Sequence, residues 1–560
     1  MDDSSLSRTE RVAQIALSLG AAVALYAGWR VFSYLCDDAY IAFRYVSNHQ
    51  LGFGYVWNPP PFRPVEGYTS FLWIVVLNAV WTVFGADPTR SANIVSLICS
   101  YGSLGIVLEM AWRATGNVSR SRRVPLFGLL LFSIVSNRTF LAWTTSGLET
   151  PLETLLVLSW VRLGILAKPR PRVLFALTFA ASMIALCRPD GLLFCAATIA
   201  MVLFSIFRNR EKRIQRASSL LPLLMPIAHV LWWHHTYGFW LPNTYYAKHV
   251  APWPIGGLWY LANFIFEYAY FVWVLVALAV AVREFFLPGL VTRVRSMLSA
   301  DDASWSPVLT VLTLVAHAGY YTLIVGGDHF EYRVYHHLVP LLIVSFPWLT
   351  ARLGWRDRRL ISALSFMTAL GLFLPWTHWW YTHTINVRRD QGMPHHRIAP
   401  HLPAPLSSYA KLFDRLQGWP MRHFIGLRHQ THKVFLENFQ TRMWPTREQG
   451  SQISSEGFPV VETSAVGYPA WVLPHVAIID RLGLNDVVAA HSPPARSTQQ
   501  ERLLAHDRHA PEEYLACFRP IVFHDNTGPF KHVPRDKPLT AEEIRACEET
   551  WWSNLGLKAP

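Results

Sequence analysis

The chain has 560 residues, of which 52% are hydrophobic and only 16% charged, against roughly 25% charged in an ordinary globular protein. With a mean hydropathy of +0.21, 24 Trp, 32 Phe and six Cys, it is neither disordered, nor collagen-like, nor a disulfide scaffold, and its composition is that of a membrane protein. The formal net charge of +13 fits nucleic acid, anionic lipid or membrane topology equally well until it is located along the chain. Residues 378–560 hold 20 Lys+Arg and 18 Asp+Glu, a net of +2, which leaves +11 in residues 1–377, where the long apolar runs lie.

A bilayer core takes about 20 apolar residues per helix. In chain order the runs predict spans over 12–35, 92–112, 124–143, 151–167, 173–186, 191–207, 220–235, 257–282, 307–325, 334–349 and 360–376. A twelfth apolar run, 69–85, is placed by charge. As a helix lying on the outer surface it sends 22 of the first segment's 30 basic residues to the cytoplasmic side, the asymmetry of the positive-inside rule. Eleven spans then leave the N-terminus inside, the first span reading as a signal anchor, and residues 378–560 outside. That C-terminal stretch alternates short apolar segments with Pro-rich turns and predicts a small extracytoplasmic α/β domain. Its Cys517 and Cys547 are a candidate disulfide in an oxidising compartment. The three histidines His395, His396 and His401 lack Cys or carboxylate neighbours at ligand spacing and read as a solvated loop.

Under this topology the polar motifs fall at the outer helix ends. Asp37-Asp38-Ala-Tyr40 and Arg44 follow the first span, and Glu66-Gly-Tyr68 precedes the surface helix. Glu149 and Glu153 turn between spans three and four, and Arg188-Pro-Asp190-Gly between five and six. Pro242-Asn243 to Lys248 follows span seven, and Gly-Gly-Asp328-His329 to Arg333 joins nine and ten. Helix ends are polar in any membrane protein, but acid pairs with Arg and Lys are a narrower pattern. Adjacent carboxylates suit a divalent cation or a general base. Arg188, Lys248 and Arg333 suit a phosphate, with snorkelling anchors as the plainer reading. Most of the boundary aromatics fit an interfacial belt. There is no phosphate-binding P-loop and no dinucleotide fingerprint.

These motifs, together with Gly52-Phe-Gly54-Tyr-Val-Trp-Asn58 and Gly483-Leu-Asn485-Asp486, resemble bacterial GT-C glycosyltransferases that use polyprenyl-phosphate sugars, above all the mycobacterial terminal β-(1→2)-arabinofuranosyltransferase family. The likeness covers most of residues 30–340. The stretch Asn58-Pro-Pro-Pro61-Phe-Arg63-Pro is longer than the pattern, and the C-terminal segment matches weakly. The resemblance implies an inner-membrane enzyme that moves a sugar, best assigned as D-arabinofuranose, from a polyprenyl-phosphate donor to an envelope glycan or glycoprotein hydroxyl on the outer side. Asp37 or Asp38 is then the general base, and Arg188, Lys248 and Arg333 hold the donor phosphate. Tyr40, Arg44, Glu66, Tyr68, Glu149, Asp190, Asn243 and Asp328 contact sugar or acceptor. If a divalent cation takes part, Asp37, Asp38, Asp328 and His329 are the expected ligands. Expected partners are the lipid donor, the acceptor and membrane lipid, with no nucleic acid. The alternatives are a flippase or transporter of a lipid-linked sugar, and a non-enzymatic envelope or motility factor.

Overall fold

The computed structural model describes residues 7–208, 212–286, 305–385, 396–496, 498–524 and 530–557. Arg210, Arg293, Arg295 and His395 lie outside them. The chain is a polytopic α-helical membrane protein. Among the described residues, seven helices are long and apolar enough to cross a membrane: α1 (Arg8–Val31), the helix opening with α4 (Pro88–Ala114), the one closing with α9 (Leu192–Arg208), and Arg213–Tyr237, Trp305–Val325, Arg333–Arg352 and Asp357–Thr382. Helices also cover the other expected spans, with α5 (Arg120–Val135), α7 (Thr150–Leu166) and α8 (Pro171–Cys187) at 16 to 17 residues each. On α1, Val12, Ile15, Leu19 and Val23 are 58–68% exposed, a surface that lipid rather than water covers.

Local chemistry sets the helix ends. Ser7 and Glu10 form a capping box at α1, and Asp87 accepts the Thr89 and Arg90 N–H groups in front of Pro88. The short apolar helix α3 (Phe71–Phe84) stops at Gly85, which adopts φ 68°. Its 14 residues reach about 21 Å, short of a bilayer core of about 30 Å.

Two expected spans are broken. The run 124–143 ends as α5 at Val135, because the Asn137 side chain accepts the Phe140 N–H (3.0 Å) and starts a separate helix, α6 (Arg138–Ala142). The run 257–282 is two helices, Pro254–Glu267 and Phe271–Glu284, meeting at 101°. Ala269 takes φ 53° in the bend, and Glu267 at the break is fully buried.

The two ends of the bundle differ. At one end Arg120 pairs with Glu10 (2.8 Å), Asp357 accepts from Ser119 N–H and Oγ (2.9 Å each), and Arg113 and Arg162 share Glu109. At the opposite end the Ser146 N–H donates to Tyr34 O (3.1 Å) and the Cys36 N–H to Ser146 O (3.0 Å), tying the turn before α7 to the exit of α1.

The C-terminal part packs onto this second end. Asp357–Thr382 runs five residues past the expected cut at 377, and the helix Leu406–Arg422 lies against Pro254–Glu267. Strand content is small: β1 (Val460–Thr463) pairs parallel with β2 (Ala477–Asp480), and β3 (Val522–His524) antiparallel with β4 (Phe530–His532). Cys517 and Cys547 are joined in a disulfide. Arg428 reaches into the bundle, where it and Arg138 share Glu267 and Glu331. The Arg428–Glu267 and Arg428–Glu331 separations are 2.9 and 2.6 Å, Arg138–Glu267 is 3.4 Å, and Arg138 also contacts Glu331. All four side chains are at most 3% exposed, so two positive and two negative charges cancel where an unpaired one would be costly.

Candidate functional site

Asp37 and Asp38 open α2 (Asp37–Gln50), and the structure gives them different surroundings. Asp37 is buried, with Oδ1 accepting the Tyr468 N–H (2.9 Å) and Oδ2 the Gly467 N–H (3.1 Å). Two turns on along the same face, Arg44 is fully buried. Its Nε donates to Trp57 O (3.1 Å), Nη1 to Ala470 O, Leu473 O and Pro474 O (2.9, 2.9 and 3.1 Å), and Nη2 to Val476 O (2.9 Å). The short helix Gly467–Val472 therefore has a carboxylate at its N-terminus and a guanidinium at its C-terminus, the favourable sense for its dipole. A Cβ on Gly467 would overlap the Asp37 carbonyl oxygen, so only glycine lets the two helices approach this closely. Burial pushes the Asp37 carboxyl up to about 7 and draws the Arg44 guanidinium down to about 9.

Asp38 is half-buried and makes no hydrogen bond or ion pair among the described residues. Desolvation draws the Lys248 ammonium below its usual range, while the nearby Asp38 and Asp328 charges oppose the shift. Lys248 is exposed, and it too has no direct partner among the described residues. The other two expected phosphate ligands are already paired. Arg333 forks onto Asp328 (2.9 and 3.1 Å) over the Phe330 ring. Arg188 donates to Glu149 (2.8 Å), Asp190 (3.3 Å) and Tyr321 Oη (2.6 Å), with Glu153 at 3.6 Å.

The remaining expected contacts divide in the same way. Asn243 Nδ2 donates to Gly483 O, Leu484 O and Asp486 O (2.7, 3.0 and 3.2 Å), while the Asp480 carboxylate holds the N–H groups of Leu482, Gly483 and Asn485. The Gly483-Leu-Asn485-Asp486 segment is thus a docking loop between the C-terminal part and the membrane end. Tyr40 packs edge-on against Tyr468, and Tyr68 contacts Tyr237 (Oη–Oη 3.3 Å); both are buried. Glu66 is 4% exposed and has no hydrogen-bond partner among the described residues; Oε2 is buried and bare. Burial alone holds its pKa well above the usual carboxylate range.

The structure does not gather Asp37, Asp38, Asp328 and His329 into a ligand set. Backbone amides occupy Asp37, Arg333 occupies Asp328, and His329 Nδ1–H donates to Phe424 O (3.0 Å) beside His432 and His506. Among the described residues the three groups whose ligand atoms converge are Glu153, Asp190 and His317. Glu153, four residues after Glu149, shares its face of α7, a signal legible in the sequence. His317 and Tyr321 sit in an apolar run, and Glu331 and Arg428 are separated by nearly a hundred residues, so no spacing announces them.

No protein-family model matches the chain, and no curated protein sequence matches it. Among solved structures, the chain is similar to the crystal structure of ArnT from Cupriavidus metallidurans bound to undecaprenyl phosphate, with 11% identity over 84% of this chain and 86% of that one and a TM-score of 0.48.

Proposed function

We propose that the chain is a GT-C-type glycosyltransferase of the bacterial inner membrane. It moves a sugar, best assigned as D-arabinofuranose, from a polyprenyl-phosphate donor to an envelope glycan or glycoprotein hydroxyl on the outer side, with residues 1–377 as the catalytic part and 378–560 outside. The observation that carries the reading is the proximity, at one end of the helices, of a carboxylate without a direct partner, Asp38, and an ammonium without one, Lys248, near enough for the one charge to act on the other. A carboxyl titrating near neutrality, as Asp37 does, suits general-base work on pKa grounds. Its geometry argues otherwise, because both its oxygens are committed to backbone amides. Asp38 is therefore the base: it takes the proton of the acceptor hydroxyl as that oxygen bonds to the anomeric carbon. The bond from that carbon to the phosphate oxygen breaks, and its electron pair leaves with the polyprenyl phosphate. That leaving group is weakly basic and needs no protein acid; it needs positive charge where its own charge grows. Lys248 supplies it, with Arg333 and Arg188 behind it, each tempered by its carboxylate partners. Glu66, Asn243, Glu149, Asp190 and Asp328 order sugar or acceptor around the base.

Glu267, fully buried at the break between the two helices of the bent span, is locked in the four-charge cluster rather than left to carry cargo, which favours transfer over transport. The test reconstitutes purified protein in liposomes with a panel of radiolabelled polyprenyl-phosphate pentoses and hexoses and an envelope extract. Label appearing in glycan or glycoprotein supports the reading. Donor that crosses the bilayer intact, with no label transferred, replaces it with the flippase reading.

A further inference from the structure

At the end of the bundle opposite Asp38, several arginines have partners. Arg120 pairs with Glu10, Arg113 and Arg162 share Glu109, Arg123 lies over the Trp112 ring (4.1 Å) and Arg352 over Trp348 (5.0 Å). Four that converge on one place do not. Arg122 on α5, and Arg356, Arg358 and Arg359 at the start of Asp357–Thr382, line an open cleft of about 460 Å³ together with Gly354 and Asp357. All four are exposed, and none of their guanidiniums makes a hydrogen bond, ion pair or ring contact among the described residues. Asp357, the acid in this lining, accepts from Ser119, so four arginines and one aspartate leave the wall with a net charge of +3. No side chain caps the 26-residue helix that starts here, and its dipole adds to the same field. The positive-inside rule asks only for basic residues on one side of the membrane. It does not gather guanidiniums around a concavity, where they repel one another until an anion enters.

We propose that this cleft binds the phosphodiester headgroup of an anionic phospholipid. Guanidiniums fork onto phosphate oxygens, and the volume falls within the range of about 300–1,000 Å³ usual for small-molecule sites. Two placements favour a lipid over a soluble anion. First, α5, Arg333–Arg352 and Asp357–Thr382 pack side by side, and the cleft lies where they end. Trp348, one turn before Arg352, is 53% exposed there, as an aromatic at headgroup depth is. Second, large apolar side chains stand exposed one leaflet further in: Phe132 on α5 and Phe366 on Asp357–Thr382 are 52% and 56% exposed. At about 1.5 Å per residue they lie about 15 and 14 Å along their helices from Arg122 and Asp357. That is half of a bilayer core of about 30 Å, so a head held by the arginines has apolar helix surface along its acyl chains.

The test needs no sugar donor. Full-length protein in detergent, freed of co-purified lipid, is titrated with phosphatidylglycerol, with phosphatidylcholine of the same acyl chains, and with inorganic phosphate, and retained lipid is counted by native mass spectrometry. We expect a single phosphatidylglycerol to survive activation that strips phosphatidylcholine, and inorganic phosphate at equal concentration to leave it in place. Arg356→Gln/Arg358→Gln should weaken that binding at least about tenfold, and Arg122→Gln, from the other wall, should weaken it too. Arg170→Gln/Arg172→Gln removes as much charge from the same end, at the exposed start of α8, and should leave binding unchanged; each variant is checked for an unchanged gel-filtration profile. Equal retention of the two lipids, equal binding by folded Arg356→Gln/Arg358→Gln, or an equal loss in Arg170→Gln/Arg172→Gln overturns the site. Displacement by inorganic phosphate gives the cleft to a soluble anion and overturns the lipid assignment.

Discussion

Asp37 and Asp38 are adjacent in the chain and face different tasks, and the difference lies in what their oxygens already hold. Two amide N–H groups saturate Asp37; nothing among the described residues saturates Asp38. The sequence shows the pair and the chemistry open to it, but not the partner of Asp37, which lies 430 residues away in a helix of six. Arg44 was legible as a charged residue beside the site, yet it binds five carbonyls rather than a sugar. Glu66 carries a residue-scale prediction of its own. Its buried carboxyl has no donor, so Glu66→Gln removes a desolvated acid without breaking a hydrogen bond. Thermal melting at pH 7 should show equal or higher stability, while transfer falls at least about tenfold as a sugar or acceptor contact is altered. A loss of stability with full activity would assign Glu66 to packing.

At the scale of elements, α2 and the Gly467–Val472 helix form the clamp that seats the C-terminal part. Gly467→Ala forces the helices apart and should cost about 2–4 kcal/mol, a large effect by the standard of point mutations, read as a drop in the unfolding midpoint in detergent. Arg428→Met should cost about 3–5 kcal/mol, because it leaves Glu267 and Glu331 to share Arg138 alone, with one buried negative charge in excess. Helix positions were legible at this scale because apolar runs and caps are local. The breaks at Asn137 and Ala269 were not: the long apolar flanks carry a span reading across Ser136-Asn137-Arg138-Thr139 and across the single acid Glu267. Asn137 acts by capping α6. The second bend places Glu267 against Arg138 and against Arg428, which arrives from the distant C-terminal part.

For the whole molecule, stability depends on pH through carboxyls at the contact between the two parts. Burial raises Asp37 to about 7, Asp486 to about 6 and Glu548 to about 8. A carboxyl whose folded pKa lies above its unfolded value near 4 holds its proton in the native state after the unfolded chain has lost it. Its contribution is complete below about pH 4 and is lost as pH rises through the folded value. Unfolding midpoints should therefore fall from about pH 5 to pH 8.5, and Glu548→Gln should flatten the upper part of that slope. Glu331 has the opposite sign. Despite burial, Arg138 and Arg428 hold it at about 2, so its contribution is lost as pH falls from about 4.5 towards 2. The charge asymmetry that suggested the topology from sequence also predicts that a periplasmic reporter fused after the C-terminus is active, whereas a reporter active only in the cytoplasm should be silent.

The central claim is that Asp38 takes the acceptor proton while Asp37 seats the C-terminal part. It is tested most directly by single-turnover transfer from a labelled polyprenyl-phosphate sugar, comparing Asp38→Asn and Asp37→Asn in liposomes at matched folded protein. Asp38→Asn should slow the chemical step by about 10²–10⁴ with an unchanged melting profile, and Asp37→Asn should shift the melting profile while keeping a near-normal rate per folded molecule. Near-normal transfer by Asp38→Asn, or a lost chemical step in a well-folded Asp37→Asn, would contradict the account.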